Sequence, residues 1–299
     1  MKHLISIVGT TGIGKTKLAI DLARHFNTEI ISCDSRQFFK EIPIGTAAPT
    51  PEELSLVKHH FIGNLSVQDY YSIGQFEEDA LKKLDELFAP HNVVIMVGGS
   101  MMYEKALIEG LNDLPEADEE NQKKLQEILV NEGLEKLQEI LKNLDEDYYK
   151  TVHLENPRRL LRAIDVIWQT GEKYSNLISS PKAPRNFTTT RIGIEAPREI
   201  IYERINLRVD KMLENGLLEE VKKLTPYKEL TSLKTVGYTE IFKYLDGEWD
   251  LDFAVSEVKK NSRRFAKRQL TWYRGEENIH WVNYQNPFEE SLSLLNKLM

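Results

Sequence analysis

The chain has 299 residues, of which 41% are hydrophobic and 29% are charged, with a formal net charge of −8. This length accommodates one large domain, or a core domain with an insertion, and the acidic balance excludes a surface coated by nucleic acid but not a local basic groove. No apolar run reaches the length of a membrane span, Cys33 is the single cysteine, and the first residues lead straight into a predicted strand, so we expect a cytoplasmic protein without disulfides.

The first predicted strand, residues 4–8, runs into a glycine-rich turn and a predicted helix over residues 16–24. The turn matches the P-loop pattern of nucleotide-binding and ATP-binding proteins, and it consists of Gly9, Thr10, Thr11, Gly12, Ile13, Gly14, Lys15 and Thr16. Its glycines let backbone amides converge on one anion, to which the helix dipole adds a positive end. Lys15 supplies a full charge, and Thr16 supplies a hydroxyl that can ligate Mg²⁺. The pattern predicts a site for a phosphorylated ligand.

A second predicted strand, residues 29–34, ends at Asp34, and Ser35, Arg36 and Gln37 follow in a predicted loop. Ligand-contacting side chains gather just past the carboxyl ends of strands in open parallel sheets, so we expect Asp34 to share a cleft with the P-loop. Three roles remain open for Asp34: a helix cap or turn former, a Mg²⁺ ligand, or a general base beside a bound phosphate. Its position in the sequence does not separate the last two.

Residues 43–51 are rich in turn-forming residues and are predicted to be a loop, and apolar spacing predicts a helix over residues 73–88. The third predicted strand, residues 93–97, ends at Gly98-Gly99-Ser100 without a carboxylate, which weakens the interpretation as an ordinary ATPase. The two glycines permit close backbone approach to a ligand, and Ser100 offers a hydroxyl. A plain strand-to-helix turn is the alternative interpretation.

From residue 112 onward the alternation of strands and helices gives way to helices only, predicted over residues 118–132, 134–143 and 157–170. We therefore predict an α/β fold. A P-loop core with a parallel sheet would be formed by residues 1–111 and 186–299, with an inserted all-helical subdomain at residues 112–185. Arg158, Arg159 and Arg162 lie in the first two turns of the last inserted helix, where arginine opposes the helix dipole. An anion-facing cluster is therefore favoured over a solvated face.

A strand over residues 190–194 and a helix over residues 198–215 follow, and Arg208 on that helix could close over the phosphate site. The next informative stretch is a helix predicted over residues 253–274, with Val258, Phe265 and Trp272 along one side. The opposite side carries Lys259, Lys260, Arg263, Arg264, Lys267 and Arg268. No acid interrupts residues 259–274, so this helix is predicted to contact a polyanion. A closing strand is predicted over residues 279–284.

Taken together, these motifs resemble the tRNA dimethylallyltransferase family over nearly the whole chain. The resemblance rests on the P-loop and on six further segments in order. They are DSRQ at 34–37, IGTA at 44–47, GGS at 98–100, PRRLLRA at 157–163, VGY at 236–238 and AKRQLTW at 266–272. The P-loop alone is shared by very many enzymes, whereas this ordered set is specific.

The resemblance implies transfer of a dimethylallyl group from dimethylallyl diphosphate to N6 of adenosine 37 in tRNA, with the leaving diphosphate held by the P-loop and by Mg²⁺ at Thr16. Asp34 would accept the proton of the adenine amino group, Arg208 would contact the diphosphate, and Ser100 stands in place of a customary threonine. The resemblance also implies that the protein is a monomer and that it binds the anticodon stem-loop. The implied tRNA contacts are Asp34, Ser35, Arg36, Gln37, Ser100, Arg158, Arg159, Arg162, Arg263, Arg264 and Lys267.

Some positions depart from the usual family pattern. They are Thr10 in place of proline, Gly12 and Ile13 in place of a small residue and serine, Phe39 in place of tyrosine, Gln122 in place of arginine, and Arg158 in place of glutamine. Three other functions fit part of this pattern. The missing carboxylate after residue 97 counts against a small-molecule kinase, and the basic helix counts against an adenylate isopentenyltransferase. Intact Lys15, Thr16 and Asp34 count against a non-catalytic RNA-binding module.

Overall fold

The computed structural model describes residues 2–299, and within them the chain forms six strands and fourteen α-helices. The strands are β1 (His3–Val8), β2 (Ile30–Ser32), β3 (His59–His60), β4 (Val93–Val97), β5 (Thr188–Glu195) and β6 (Ile279–Asn283). The first seven helices are α1 (Lys15–His25), α2 (Pro51–Leu56), α3 (Ile73–Leu87), α4 (Met101–Glu109), α5 (Glu119–Glu132), α6 (Leu134–Leu144) and α7 (Glu146–Tyr149). The other seven are α8 (Pro157–Thr170), α9 (Tyr174–Ile178), α10 (Arg198–Glu214), α11 (Leu217–Lys223), α12 (Tyr238–Leu245), α13 (Leu251–Arg274) and α14 (Pro287–Leu298).

The strands form one sheet in the order β3-β2-β4-β1-β5-β6, and every pairing is parallel. Strand β1 lies inside the sheet, and all six of its residues are buried. Uninterrupted apolar strands are typical of parallel sheets that are covered by helices on both faces. The predicted α/β fold with a parallel sheet is therefore confirmed.

Two apolar layers enclose the sheet because successive residues of each strand point to opposite faces. Ile5 and Ile95 pack into one layer with side chains of α1, α10 and α14, while Leu4 and Val94 pack into the other with side chains of α3 and α4. A third apolar cluster joins the segment around Ile42 to α11, α12 and the start of α13. These layers fix the ends of the strands, from which the candidate site is built.

The chain divides into two compact units. One unit runs to Ile108 and resumes over Arg185–Met299, and the other is Glu109–Pro184. The second unit consists mainly of helices α5 to α9 around a core of its own, which includes Leu125, Leu141 and Ile164. Its ends differ by one to three residues from the expected limits of 112 and 185. Within residues 2–299, no helix combines the length and apolar character that crossing a bilayer requires.

Helix α2 was not predicted, although the sequence contains its start signal. The Thr50 hydroxyl accepts the backbone N–H of Glu53, and the Glu53 carboxylate accepts the N–H of Thr50, which forms a capping box with Pro51 at the first helical position. The prolines and other turn-forming residues of 43–51 led to the prediction of a loop, so the capping box at its end was not recognised. Helix α14 was not predicted either, and β2 ends at Ser32, two residues before the predicted end, because a turn begins at Asp34.

The expected apolar line on the long basic helix is partly wrong. Val258 is buried, but Phe265 and Trp272 are only half-buried. The residues that helix α13 buries are Ala254, Val258, Ala266, Gln269 and Tyr273. A seven-residue spacing drifts by about 20° per heptad on a straight α-helix, so it does not stay on one face.

Candidate active site

Three loops meet at one edge of the sheet. The P-loop follows β1, the Asp34 turn follows β2, and residues 98–100 follow β4. Strand β4 pairs with both β1 and β2, and all three strands are parallel, so their carboxyl ends lie side by side. The structure therefore brings Asp34 to the P-loop, as the sequence predicts.

The P-loop curls around the side chain of Lys15, the first residue of helix α1. The Lys15 ammonium donates to the carbonyl oxygens of Gly9 and Thr10 at 3.1 and 2.8 Å. Burial and the nearby Arg208 guanidinium lower the pKa of Lys15 to about 8, and the Asp34 carboxylate opposes that shift. Two cations held this close together form a site that an anion would stabilise.

Close contact between two loops explains the pair of glycines after β4. A Cβ on Gly98 would lie 2.5 Å from the Cys33 Sγ, and one on Gly99 would lie 2.9 Å from the Asp34 Oδ2. A side chain at Gly98 would therefore displace the backbone of Cys33 and Asp34, and one at Gly99 would displace the Asp34 carboxylate. The next residue, Ser100, accepts the backbone N–H of Ser35 at 2.9 Å, and the two hydroxyls also share a hydrogen bond at 2.9 Å. Ser100 therefore holds the Asp34 turn in place.

Asp34 forms a turn with one of its carboxylate oxygens. Its Oδ1 accepts the backbone N–H of Arg36 at 3.1 Å, and its carbonyl accepts the N–H of Gln37 at 3.0 Å. The Oδ2 lies beside Gly99, and the carboxylate acts electrostatically on both Lys15 and Arg208. The turn-forming role is therefore observed, and the turn keeps the carboxylate within electrostatic range of the two cations.

Helix α10 covers the outer side of the P-loop. Arg208 donates to the Thr11 hydroxyl and to the Thr46 carbonyl, both at 3.1 Å, and Arg204 donates to the Ile13 carbonyl at 3.0 Å. These contacts place the Arg208 guanidinium against the loop, and burial lowers its pKa. The structure therefore places Arg208 in contact with the P-loop, and its contact with a phosphate stays a prediction.

Sequence reasoning did not find the carboxylate that holds the 44–46 segment. The Glu220 carboxylate on α11 accepts the backbone N–H groups of Ile44 and Gly45, both at 2.9 Å, and it also accepts the Tyr238 hydroxyl. Tyr238 belongs to the VGY motif, and its side chain is fully buried. The motif therefore supports the segment whose Thr46 carbonyl accepts Arg208.

Replacing Glu220 with glutamine is expected to destabilise the protein by about 1–3 kcal/mol, because the new amide group would face a backbone N–H and leave a buried donor unsatisfied. Urea unfolding followed by circular dichroism measures the change. Glu219→Gln, on the exposed side of the same helix, is the matched control and should change stability by less than about 0.5 kcal/mol. Equal effects of both substitutions would contradict a role for the Glu220 contacts.

Gln269 on α13 is the second residue that sequence reasoning missed. Its side chain is fully buried between the P-loop and the 98–100 loop, where its Oε1 accepts the Thr11 N–H and its Nε2 donates to the Gly99 carbonyl, both at 2.8 Å. Gln269 belongs to the AKRQLTW segment of the family resemblance, and it is an uncharged polar residue on the buried side of an amphipathic helix, but neither signal names its partners.

Several expected RNA contacts are engaged by the protein itself. Arg36 donates to the carbonyls of Thr231 and Ser232, and Gln37 donates to those of Thr46 and Ala47. These contacts hold the two side chains at the rim of the site. The side chains of Arg36 and Gln37 are therefore held in place by backbone carbonyls of the protein.

The basic side chains of α13 differ from one another in their surroundings. Lys267 and Arg268 are exposed, as is Arg264, which donates to Asn261 at 3.3 Å. Arg263 is half-buried and donates to Asn206 of α10 at 2.7 Å. The exposed cationic surface of the helix is therefore narrower than the six residues of the sequence pattern.

In the helical unit, Arg158 and Arg159 are exposed at the start of α8. Arg162 instead pairs with the fully buried Asp165 at 3.3 Å and donates to the carbonyl of Pro115. The Arg162 guanidinium is therefore paired within the helical unit. Of the predicted cluster, Arg158 and Arg159 remain exposed to solvent.

A cleft of about 780 Å³ opens on the outer side of the P-loop. Its walls come from Gly12 of the loop, from residues 43–51 with α2, and from α10. Ile44, Leu54 and Met212 contribute apolar surface, and Arg208 lies in the wall next to the P-loop. The cleft can therefore hold a ligand that joins a short apolar group to an anion.

Comparison with known proteins relates this chain to one family. The family model described as IPP transferase matches residues 37–276. A tRNA dimethylallyltransferase of Christiangramia forsetii is 52% identical to this chain, over 98% of this chain and 99% of that protein. A tRNA dimethylallyltransferase of Flavobacterium psychrophilum is 48% identical, over 100% and 99% of the respective chains.

Solved structures show the same similarity. The full-length tRNA isopentenylpyrophosphate transferase of Bacillus halodurans is 34% identical and aligns with a TM-score of 0.73, over 100% of this chain and 95% of that chain. A eukaryotic dimethylallyltransferase acting on tRNA is 26% identical and aligns with a TM-score of 0.86, over 100% of this chain and 79% of that chain.

Proposed function

The chain belongs to the IPP transferase family, and on that premise we propose that it transfers a dimethylallyl group from dimethylallyl diphosphate to N6 of adenosine 37 in tRNA. One observation carries the proposal. The Asp34 carboxylate stands beside the P-loop, where Lys15 of the loop and Arg208 of α10 supply two cations. A site for a diphosphate and an acceptor for a proton therefore lie side by side at the carboxyl edge of the sheet.

In this reaction the P-loop holds a leaving group. The bond between the allylic carbon and the diphosphate oxygen breaks, and a bond between that carbon and N6 forms. Negative charge grows on the departing diphosphate, where Lys15, Arg208 and the loop amides neutralise it. The apolar wall of the cleft would hold the dimethylallyl group next to Arg208 and Gly12, which line the same cleft.

Asp34 is proposed as the general base. The lone pair of an exocyclic adenine nitrogen is conjugated into the ring, so N6 is a poor nucleophile and gains from a positioned acceptor for its proton. The proton of N6 passes to the Asp34 carboxylate as the new bond forms. The N–H of Arg36 orients that carboxylate through its Oδ1.

The loop offers Mg²⁺ one oxygen ligand, the hydroxyl of Thr16. This suits Mg²⁺ because proteins bind it through few oxygen ligands, while phosphate oxygens and waters complete its coordination. The Thr16 hydroxyl in the first turn of α1 would hold the ion together with the diphosphate of the substrate. Residues 2–299 contain no cluster of three or more His, Cys, Asp or Glu that would bind a metal independently. When bound, Mg²⁺ adds positive charge that stabilises the leaving diphosphate.

The adenine has to leave the stacked anticodon loop before N6 can reach the allylic carbon. The proposed binding position of the extruded base is lined by Ser35, Arg36 and Gln37, and Ser100 holds the turn that contains them. The anticodon stem-loop would contact the exposed basic side chains of α13 and the Arg158 and Arg159 pair of α8. We further propose that the protein acts as a monomer in the cytoplasm.

Neutralising the exposed side chains Arg264, Lys267 and Arg268 together by glutamine is expected to weaken tRNA binding and to lower its salt dependence. Each lost phosphate contact lowers the slope of log K against log salt by about 0.7–0.9, so the slope should fall by about two or more. Filter binding over a series of salt concentrations measures both quantities.

The matched control replaces Lys82, Lys222 and Lys297 by glutamine, three exposed lysines of the same unit that lie on other helices, α3, α11 and α14. This control removes the same net charge, so it separates a local contact from the general field of the protein. An unchanged salt slope in the α13 variant would remove that helix from the tRNA interface.

Labelled dimethylallyl diphosphate, incubated with the protein, Mg²⁺ and either unmodified tRNA or AMP, tests the proposed function. Label in tRNA alone, located at N6 of adenosine 37, supports it. Label in AMP alone would make the protein an adenylate isopentenyltransferase. Transfer of the terminal phosphate of ATP to a small acceptor, without prenyl transfer, would make it a kinase.

A further inference from the structure

Gln269 occupies a position that the proposed chemistry does not yet explain. Its side chain is fully buried, and its amide joins two loops whose contact residues lie 258 and 170 positions away in the sequence. The Oε1 accepts the Thr11 N–H of the P-loop at 2.8 Å, and the Nε2 donates to the Gly99 carbonyl at 2.8 Å. One side chain therefore sets the spacing between the diphosphate cradle and the loop after β4.

Both loops contact the reacting groups of the proposed mechanism. Thr11 is fixed twice, because Gln269 accepts its N–H and Arg208 donates to its hydroxyl at 3.1 Å. Gly99 lies against Asp34, since a Cβ at Gly99 would be 2.9 Å from the Asp34 Oδ2 and 3.1 Å from the Gln269 Nε2. A shift of the Gln269 amide would therefore move the cradle and the general base relative to each other.

The chemistry of the two contacts requires an amide. A primary amide presents one acceptor and one donor at the same end of the side chain and carries no charge. Glutamate would still accept the Thr11 N–H, but its second oxygen would face the Gly99 carbonyl without a hydrogen. Methionine fills a similar volume and makes neither hydrogen bond.

Helix α13 also connects these loops to the proposed tRNA surface. Lys267 and Arg268 directly precede Gln269 in the chain, and both are exposed while Gln269 is buried. The helix therefore exposes Lys267 and Arg268 to solvent on one side. On its other side it carries the Gln269 amide, which joins the two loops of the reaction centre.

We propose that Gln269 is a positioning residue, which aligns the P-loop and the Asp34–Gly99 contact for prenyl transfer and ties both to the helix that carries the basic surface. This inference rests on the proposed function for the identity of the reaction. Misplacement of reacting groups by about 1 Å can cost about a hundredfold in rate, so even a modest loop shift should be measurable.

The test compares Gln269→Glu and Gln269→Met with the wild type. We expect kcat to fall at least about tenfold in both, the affinity for inorganic diphosphate to fall about tenfold, and KM for tRNA to change by less than about twofold. Rates are taken per folded protein, with the folded fraction measured by thermal unfolding. Gln68→Glu, at an exposed position of the same unit, adds the same charge and should behave as wild type.

Gln269→Glu offers a signature that a purely structural role does not produce. A protonated carboxyl group has an O–H that can donate to the Gly99 carbonyl, as the amide does. The rate of Gln269→Glu relative to wild type should therefore rise as the pH is lowered from about 8 to about 6. Taking the ratio removes the titration of Lys15, which the two proteins share.

Three results would overturn the inference. They are a lower melting temperature with unchanged kcat and diphosphate affinity, an increase in KM for tRNA alone, and a Gln269→Glu to wild-type ratio that does not vary with pH. If the wild type binds diphosphate but labels no tRNA, the proposed function fails. The effect of Gln269→Met on diphosphate affinity still decides whether Gln269 positions the loop.

Discussion

Replacing Asp34 by asparagine is expected to lower kcat by about a hundredfold or more, with tRNA affinity nearly unchanged, because an amide cannot accept the N6 proton. The Asn Oδ1 can still accept the Arg36 N–H, so the turn after β2 should persist. Single-turnover rates with saturating tRNA, together with a separate binding titration, distinguish the loss of chemistry from the loss of binding.

Asp69→Asn is the control for this substitution. The Asp69 Oδ2 also accepts a backbone N–H in a turn, that of Ser66 at 2.7 Å, but the residue is exposed and lies outside the candidate site. It removes the same charge and should leave kcat within about twofold of wild type. A collapse of tRNA affinity in Asp34→Asn would instead make Asp34 a recognition residue.

Binding of dimethylallyl diphosphate in the absence of tRNA is expected to weaken as the pH rises through about 8, where Lys15 loses its proton. Below this pH the ammonium is present before the ligand arrives. Above it, binding requires proton uptake, so log Kd should rise with a slope approaching one per pH unit. Isothermal titration calorimetry at constant Mg²⁺, in buffers of different ionisation enthalpy, reports both the affinity and the proton uptake.

Lys15→Arg is the informative variant here, because a guanidinium remains charged over the whole range. Its affinity should be weaker than that of wild type at about pH 7 but nearly independent of pH, and Lys15→Met should lose at least about tenfold. A wild-type affinity that does not change up to about pH 9.5 would show that the ligand does not depend on the Lys15 charge.

The strands that form the centre of the sheet could be predicted because their pattern is local. Residues 4–8 and 93–97 are almost wholly apolar, as expected for strands covered on both faces, and the structure has β1 and β4 there. The short strand β3 carries only His59 and His60, and no apolar run marks it. Its place at the edge of the sheet is set by pairing with β2.

The charged residues show a limit of helical patterns. Arg162 and Arg263 lie on the expected faces of their helices, yet the first pairs with buried Asp165 and the second bonds to Asn206 of a different helix. A helical wheel gives the direction of a side chain but not the chemistry of what lies opposite. The sequence therefore predicted a wider cationic surface than the structure presents.

The sequence by itself determined the α/β class, the glycine-rich P-loop pattern and the order of the family motifs, because each of these is encoded by residues that are neighbours in the chain. Only the tertiary structure decided which side chains hold the site together. Gln269 and Glu220 bind backbone groups of residues 258 and 176 positions away, and sequence periodicity carries no information about distances of that kind. Those contacts exist because packing of helices against a parallel sheet brings remote segments to one edge, where buried polar groups have to find partners.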